Sequence, residues 1–349
     1  MIRYEKVALA GFAYELPENR VSSAEVEKQL SPLYERLRLP EGRLELMTGI
    51  QERRFWHPGT NPSVGSVRAA KKLLRDTGTV PDEIGCLVHC SVSRDFVEPA
   101  TSTVVHRELG LCNGTINFDI SNACLGMVSG IMVLANMIEL GQIECGLAVC
   151  GENSRPLLEN TIRTLNADLS LTRQSVKGHF ASLTIGSAAA AVLLKRYTPG
   201  KTAHRLLACA ASSDCSNNHL CQGDASGGMT DTSAPLMETD SQELLQQGVR
   251  VATQMWENLK RASGWSEQTP DLICTHQVGK FHRALLYKTL QLPLEKDFST
   301  FPILGNCGSA SLPATCAMAA EEGRLQLGHK LLMLGIGSGI NAAGLAVQW

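Results

Sequence analysis

Seven short apolar runs, at 7–13, 86–91, 116–120, 145–150, 188–194, 272–275 and 330–336, constrain this chain most. Several are apolar on both faces, the pattern of strands covered on both sides. Between them lie stretches with helical spacing, at 23–29, 63–77, 103–109, 125–140, 241–262 and 310–322. Such alternation predicts an α/β architecture with buried sheets. The 349 residues suffice for one large domain or two modest ones.

The two halves echo each other. Pro81-Asp82 precedes one apolar run, and Pro270-Asp271 precedes another 189 residues on. Leu140-Gly141 and Leu327-Gly328 precede two more, 187 residues apart. Two similar offsets point to a duplicated α/β unit, although both dipeptides are common. The expected division is 1–195 and 196–349, with an insertion in the first half at 154–177. The polar, glycine-rich stretch 212–233 reads as a loop on the catalytic or dimer side.

Composition excludes several classes. The net charge of −2 gives no basis for binding nucleic acid or an anionic membrane. No apolar run is long and clean enough to span a bilayer. Met1-Ile2-Arg3-Tyr4-Glu5-Lys6 has no signal-peptide core, so a cytoplasmic location is the default expectation. The twelve cysteines are scattered, several in apolar runs (Cys86, Cys145, Cys150, Cys274), with no C-x-x-C. They read as reduced core thiols.

One cysteine stands apart. In Ser121-Asn122-Ala123-Cys124-Leu125-Gly126 it sits between a strand-like run and a long apolar helix. A cysteine in the first turn of a buried helix faces free backbone N–H groups and the positive dipole end. Both favour thiolate, the form that attacks a carbonyl. Acyl chemistry also needs donors for the carbonyl oxygen. Three candidates stand out: His276 in Thr275-His276-Gln277-Val278-Gly279, after a strand-like run; Asn306 in Leu304-Gly305-Asn306-Cys307-Gly308-Ser309-Ala310-Ser311, a glycine-rich loop leading into a helix; and the glycine-dense turn Gly335-Ile336-Gly337-Ser338-Gly339 after the last apolar run. Each alone has a structural reading: a satisfied histidine, turn chemistry, or a small core residue. The ordered set of four outweighs them.

That order, Asn-Ala-Cys, His-Gln, Gly-Asn-x-Gly-Ser-x-Ser and Gly-x-Gly-x-Gly, resembles the thiolase-fold condensing enzymes. It is similar above all to the β-ketoacyl-acyl-carrier-protein synthase III branch, to which Gly49-Ile50-Gln51-Glu52-Arg53-Arg54 also points. The resemblance implies a five-layered α-β-α-β-α fold and an obligate homodimer. It makes Cys124 the nucleophile and His276 and Asn306 its partners, with the N–H groups of Cys124 and Ser338 as the oxyanion hole. The substrate would be a CoA or acyl-carrier-protein thioester, with no cofactor or metal. A narrower likeness, in Ser91-Val92-Ser93-Arg94-Asp95-Phe96-Val97-Glu98-Pro99-Ala100-Thr101, is to the OleA-type enzymes of bacterial olefin biosynthesis. There the glutamate matching Glu98 enters the partner subunit's site as a base. The plain alternative is a surface carboxylate. The family's His-Gln-Ala/Val-Asn pattern ends here in Gly279, which has no side chain to carry a role.

Two routes to a β-keto product follow. A second acyl-CoA can lose an α-proton, which needs a base, or a malonyl group can lose CO2, which needs none. A non-catalytic partner subunit is the rival of another class; such chains lack part of the set. A degradative thiolase would carry a second cysteine near the C-terminus, where this chain has Ser338.

Overall fold

The computed structural model describes residues 1–200, 204–223 and 237–349. Its first half runs β1 (Ile2–Arg3), β2 (Val7–Glu15), β3 (Asn19–Ser22), α1 (Ser23–Gln29), α2 (Ser31–Leu37), α3 (Arg43–Thr48), β4 (Glu52–Phe55), α4 (Pro62–Thr77), β5 (Cys86–His89), α5 (Thr101–Leu109), β6 (Ile116–Asp119), α6 (Gly126–Glu139), β7 (Cys145–Glu152), α7 (Arg155–Ala167) and β8 (Ala188–Arg196). The second runs β9 (Arg205–Ser213), β10 (Cys221–Gly223), β11 (Met237–Thr239), α8 (Ser241–Ser263), β12 (Leu272–Thr275), α9 (Lys280–Leu290), α10 (Phe301–Leu304), α11 (Ser311–Glu321), β13 (Lys330–Gly337) and β14 (Asn341–Gln348).

The strand order is β12-β13-β14-β9-β2-β8-β7-β5-β6. Read outward from the middle, both halves use one scheme. β2 is antiparallel to β8, β8 antiparallel to β7, and β7 parallel to β5. β9 is antiparallel to β14, β14 antiparallel to β13, and β13 parallel to β12. The first half adds β6 parallel to β5; the second has only an Ile273–Asp297 bridge at the same edge. The duplicated strand order matches the repeat expected from the dipeptide offsets.

Period-two alternation sorts each strand's side chains into separate cores. Leu331 and Met333 of β13 face a central core with α6 and α11, while Leu332 and Leu334 face α8 and α9. Likewise Val88 of β5 faces the centre and Leu87 faces α4 and α5. The result is five layers, α-β-α-β-α, with α6 and α11 in the middle. Between β7 and β8 the chain inserts α7 and a 3-10 stretch, Ser175–Leu183, which pack with α1 and α2 into a fourth core. The matching β13–β14 connection is three residues long. No helix among the described residues is long and apolar enough to cross a membrane.

Two long strands, β9 and β14, have no counterpart among the expected runs. Both are rich in alanine and poor in β-branched residues, so local propensity is silent. Packing is the reason: a Cβ on Gly344 would lie 2.8 Å from Met255 Sδ of α8. The stretch 212–233 is not wholly loop. It holds the end of β9, a 3-10 stretch at Cys215–Leu220 and β10, and residues 224–233 lie outside the described part.

Close approach also governs β7. A Cβ on Gly151 would stand 2.0 Å from the Pro62 carbonyl oxygen at the start of α4. Gly151→Ala is therefore expected to cost about 1–3 kcal/mol or more by overpacking, read as a lower urea midpoint at constant m-value.

Candidate active site

Cys124 does not lie in the first turn of α6. It sits in a separate 3-10 turn, Ala123–Leu125, and α6 begins at Gly126. Ala123 adopts φ 44°, a left-handed value that L-residues avoid, so the turn is strained. Gly126 is required by proximity: a Cβ there would meet the Cys90 carbonyl oxygen at 2.2 Å.

The other elements close around this turn. Cβ atoms on Gly335 and Gly337 would come within 2.4 and 3.1 Å of the Leu125 side chain, so glycine at both positions lets β13 lie close against the turn. The Gly335 position is also 3.6 Å from the His276 Cβ. Asn341 Nδ2 donates to Asn122 Oδ1 at 3.2 Å and to the Ser338 carbonyl at 3.3 Å, tying the Ser338 turn to the cysteine loop. Ser309 Oγ accepts the Met127 N–H at 2.8 Å, which joins the Asn306 turn to the start of α6. Cys124, His276, Asn306 and Ser338, far apart in sequence, thus sit on turns that pack together.

The electrostatics differ from the expectation of an activated thiolate. Cys124 is half-buried, and burial pushes its thiol up to about 12, with the Glu152 carboxylate adding to the effect. Its own N–H faces the sulfur and pulls the other way. Desolvation therefore outweighs that hydrogen bond. His276 follows β12, buried, with its N–H bonded to the Leu334 carbonyl. Burial, helped by His282, lowers it to about 3, so the imidazole is neutral; its Nδ1 has no partner among the described residues. Asn306 is fixed by an isolated bridge to Ile185. Its Oδ1 accepts the Gly308 N–H at 3.0 Å, which leaves the amide NH2 as its free donor.

Glu98 is exposed and makes no hydrogen bond or ion pair among the described residues. Its loop is anchored nonetheless. Asp95 accepts the Ser63 N–H at 2.9 Å, and Asp119 accepts the Thr101 and Ser102 N–H groups at 2.8 Å each. Exposed Val92, Phe96 and Val97 flank it.

Two contributors escaped the sequence reading. Glu152, at the end of β7, is a buried carboxylate beside the cysteine turn; a charged residue closing a fully apolar strand was the available signal. Gln277 braces the approach to Asn306. Its Nε2 donates to the Phe298 carbonyl, and its Oε1 accepts from the Thr300 and Phe301 N–H groups. Gly279 replaces the expected asparagine because φ 153° and the Thr48 carbonyl, 3.1 Å from its Cβ position, suit glycine. Arg53, from the early motif, is a core residue; it donates to Ser23 Oγ and the Leu183 carbonyl.

A thiol held near 12 is ionised to only about one part in ten thousand at pH 8. Alkylation of Cys124 by iodoacetamide in the ligand-free protein should rise about tenfold per pH unit from 7 to 10. A plateau below pH 8.5 would show a thiolate already formed. Mass spectrometry of the modified peptide reads the rate.

Residues 260–349 match the family described as 3-oxoacyl-[acyl-carrier-protein] synthase III C terminal. The chain is 40% identical to the acyl-CoA:acyl-CoA alkyltransferase of Shewanella oneidensis, over the full length of both. It is 32% identical to the enzyme of that name from Xanthomonas campestris, over 99% of each. A β-ketoacyl-[acyl-carrier-protein] synthase III from Bordetella petrii is 25% identical over 95% of this chain and 94% of its own. A crystal structure of cerulenin-bound X. campestris OleA superposes with a TM-score of 0.93 at 32% identity, covering 100% of this chain and 98% of that one. The chain is thus an acyltransferase of the condensing type, and it belongs to the acyl-CoA:acyl-CoA alkyltransferase (OleA) family.

Proposed function

We propose that the protein joins two acyl-CoA molecules head to head in a Claisen condensation without decarboxylation. Its relatives are named for that substrate pair. The observation that carries the route is Glu98, exposed and unpaired at the tip of an anchored arm. We read the chain as two thiolase-like halves, 1–195 and 196–349, acting as a cytoplasmic homodimer without cofactor or metal. Support for the dimer lies at β6. It ends the strand order, so one edge is unpaired, and exposed Ile116 and the apolar arm lie beside it.

The mechanism follows from the side chains. Cys124 Sγ attacks the thioester carbonyl of the first acyl-CoA, with the Cys124 and Ser338 N–H groups taking the developing oxyanion. The C–S bond to CoA breaks, and CoA leaves as a thiol with the proton that Cys124 gave up. The free thiol is protonated at neutral pH, so substrate binding must accompany its deprotonation. The second acyl-CoA sets its carbonyl oxygen against neutral His276 and the Asn306 amide. A neutral imidazole serves here as an N–H donor. Glu98 from the partner takes the α-proton, since a thioester C–H does not ionise unaided. The enolate carbon bonds to the acyl-Cys124 carbonyl and expels the thiolate, which is reprotonated. A β-ketoacyl-CoA and one CoA result; hydrolysis to the β-keto acid and loss of CO2 give a ketone.

Incubation with a long-chain acyl-CoA alone should release CoA and yield that ketone. Product formed only after malonyl-acyl-carrier protein is added would establish the decarboxylating route instead. Cys124→Ser should abolish the acyl-enzyme mass shift. Glu98→Gln should keep that shift and lose about 10²- to 10⁴-fold in condensation, the range of a general base.

A further inference from the structure

We infer that Glu152 is a positioning residue that locks the root of the Glu98 arm to the Asn306 turn of the same chain, so that one buried carboxylate sets up a donor in its own site and a base in the partner's. The inference rests on the reading in which Glu98 serves the partner's site.

The Glu152 carboxylate spends all its acceptor capacity on two segments. Oε1 accepts the Val92 N–H at 2.9 Å and the Ser309 N–H at 3.2 Å. Oε2 accepts the Ser93 N–H at 3.1 Å and the Ser93 hydroxyl at 3.0 Å. Ser93 Oγ also accepts the Asn153 N–H at 3.1 Å. Val92 and Ser93 form the root of the arm; Ser309 lies in the 3-10 turn just after Asn306. Gly308 seats closely on the carboxylate, its Cβ position 3.3 Å from Glu152 Cδ. The far end of the arm is held independently by Asp95 and Asp119. Glu152 is thus the one described side chain bonded to both the arm and the Asn306 turn.

Burial raises the Glu152 pKa, and the three N–H groups and the Ser93 hydroxyl that donate to it pull it back down; three fixed N–H donors suit a carboxylate better than an amide. Glutamine would turn an NH2 toward two of them. A carboxylate in this place is costly: burial disfavours its charge, and the charge in turn works against ionisation of Cys124. A merely structural role is met more cheaply by a neutral acceptor, and the double attachment explains the carboxylate.

Heterodimers of differently tagged full-length chains test this. One chain keeps Cys124; the other carries Cys124→Ala, so all chemistry occurs in the first chain's site with the second chain's arm. Glu152→Gln in the Cys124→Ala chain should lower condensation of a long-chain acyl-CoA about 10- to 100-fold. The CoA burst from acylation, which needs no arm, should persist. Ser93→Ala in that chain removes one bond to the carboxylate and should give a smaller loss of the same kind, a readout that survives if Glu152→Gln does not fold. A Glu98→Ala control in the same chain separates the two readings. If Glu98→Ala abolishes condensation while Glu152→Gln and Ser93→Ala leave it intact, the positioning role is overturned. If condensation survives Glu98→Ala, the in-trans base reading fails, and this inference with it.

Discussion

The fold turns on how closely backbones approach the Cys124 turn. Cys90 meets it at Gly126, and β13 meets it at Gly335 and Gly337. At each point a single methyl group would collide with backbone or with Leu125. The glycines let the ends of two strands, one from each half of the duplicated sheet, converge on one short turn. The turns that carry Ser338, His276 and Asn306 pack around the cysteine turn because that convergence is allowed. The strain at Ala123 is held by the same surroundings.

Burial follows from this packing and sets the chemistry. A thiol enclosed this way stays protonated, and an imidazole enclosed this way stays neutral. The turns thus bring together an uncharged thiol and an uncharged imidazole. Such a site is well suited to a neutral thioester, and charge develops in it only as bonds change. The one carboxylate kept close, Glu152, is bound by four donors and unavailable for proton transfer. Glu98, by contrast, is exposed at the end of its loop and has no partner among the described residues.

Much of the architecture was legible in the chain. Runs apolar on both faces, such as 145–150, can be nothing but buried strand or buried helix, and their length selects strand. The start of α1 follows from the Ser22–Glu25 capping box. β9 and β14 were illegible because their small residues answer to helices packed above them, information held in α8 rather than in the strands. The thiol's environment was hidden for a related reason: a helix start is local in sequence, whereas the desolvation that raises the Cys124 pKa depends on everything that encloses the sulfur.

By itself the sequence determined the residue types and their order: one cysteine before an apolar helix, a histidine after a strand, an asparagine in a glycine-rich loop before a helix, and glycines where chains must touch. It also carried the repeat, visible in dipeptides offset by half a length. Only the tertiary structure decided which turns meet, that Cys124 stands outside α6, and that Glu152 joins the arm to the Asn306 turn. The physical reason is range. Propensity and patterning act over a few neighbours, while contact between residues 93, 152 and 309 exists only once the strands carrying them are stacked.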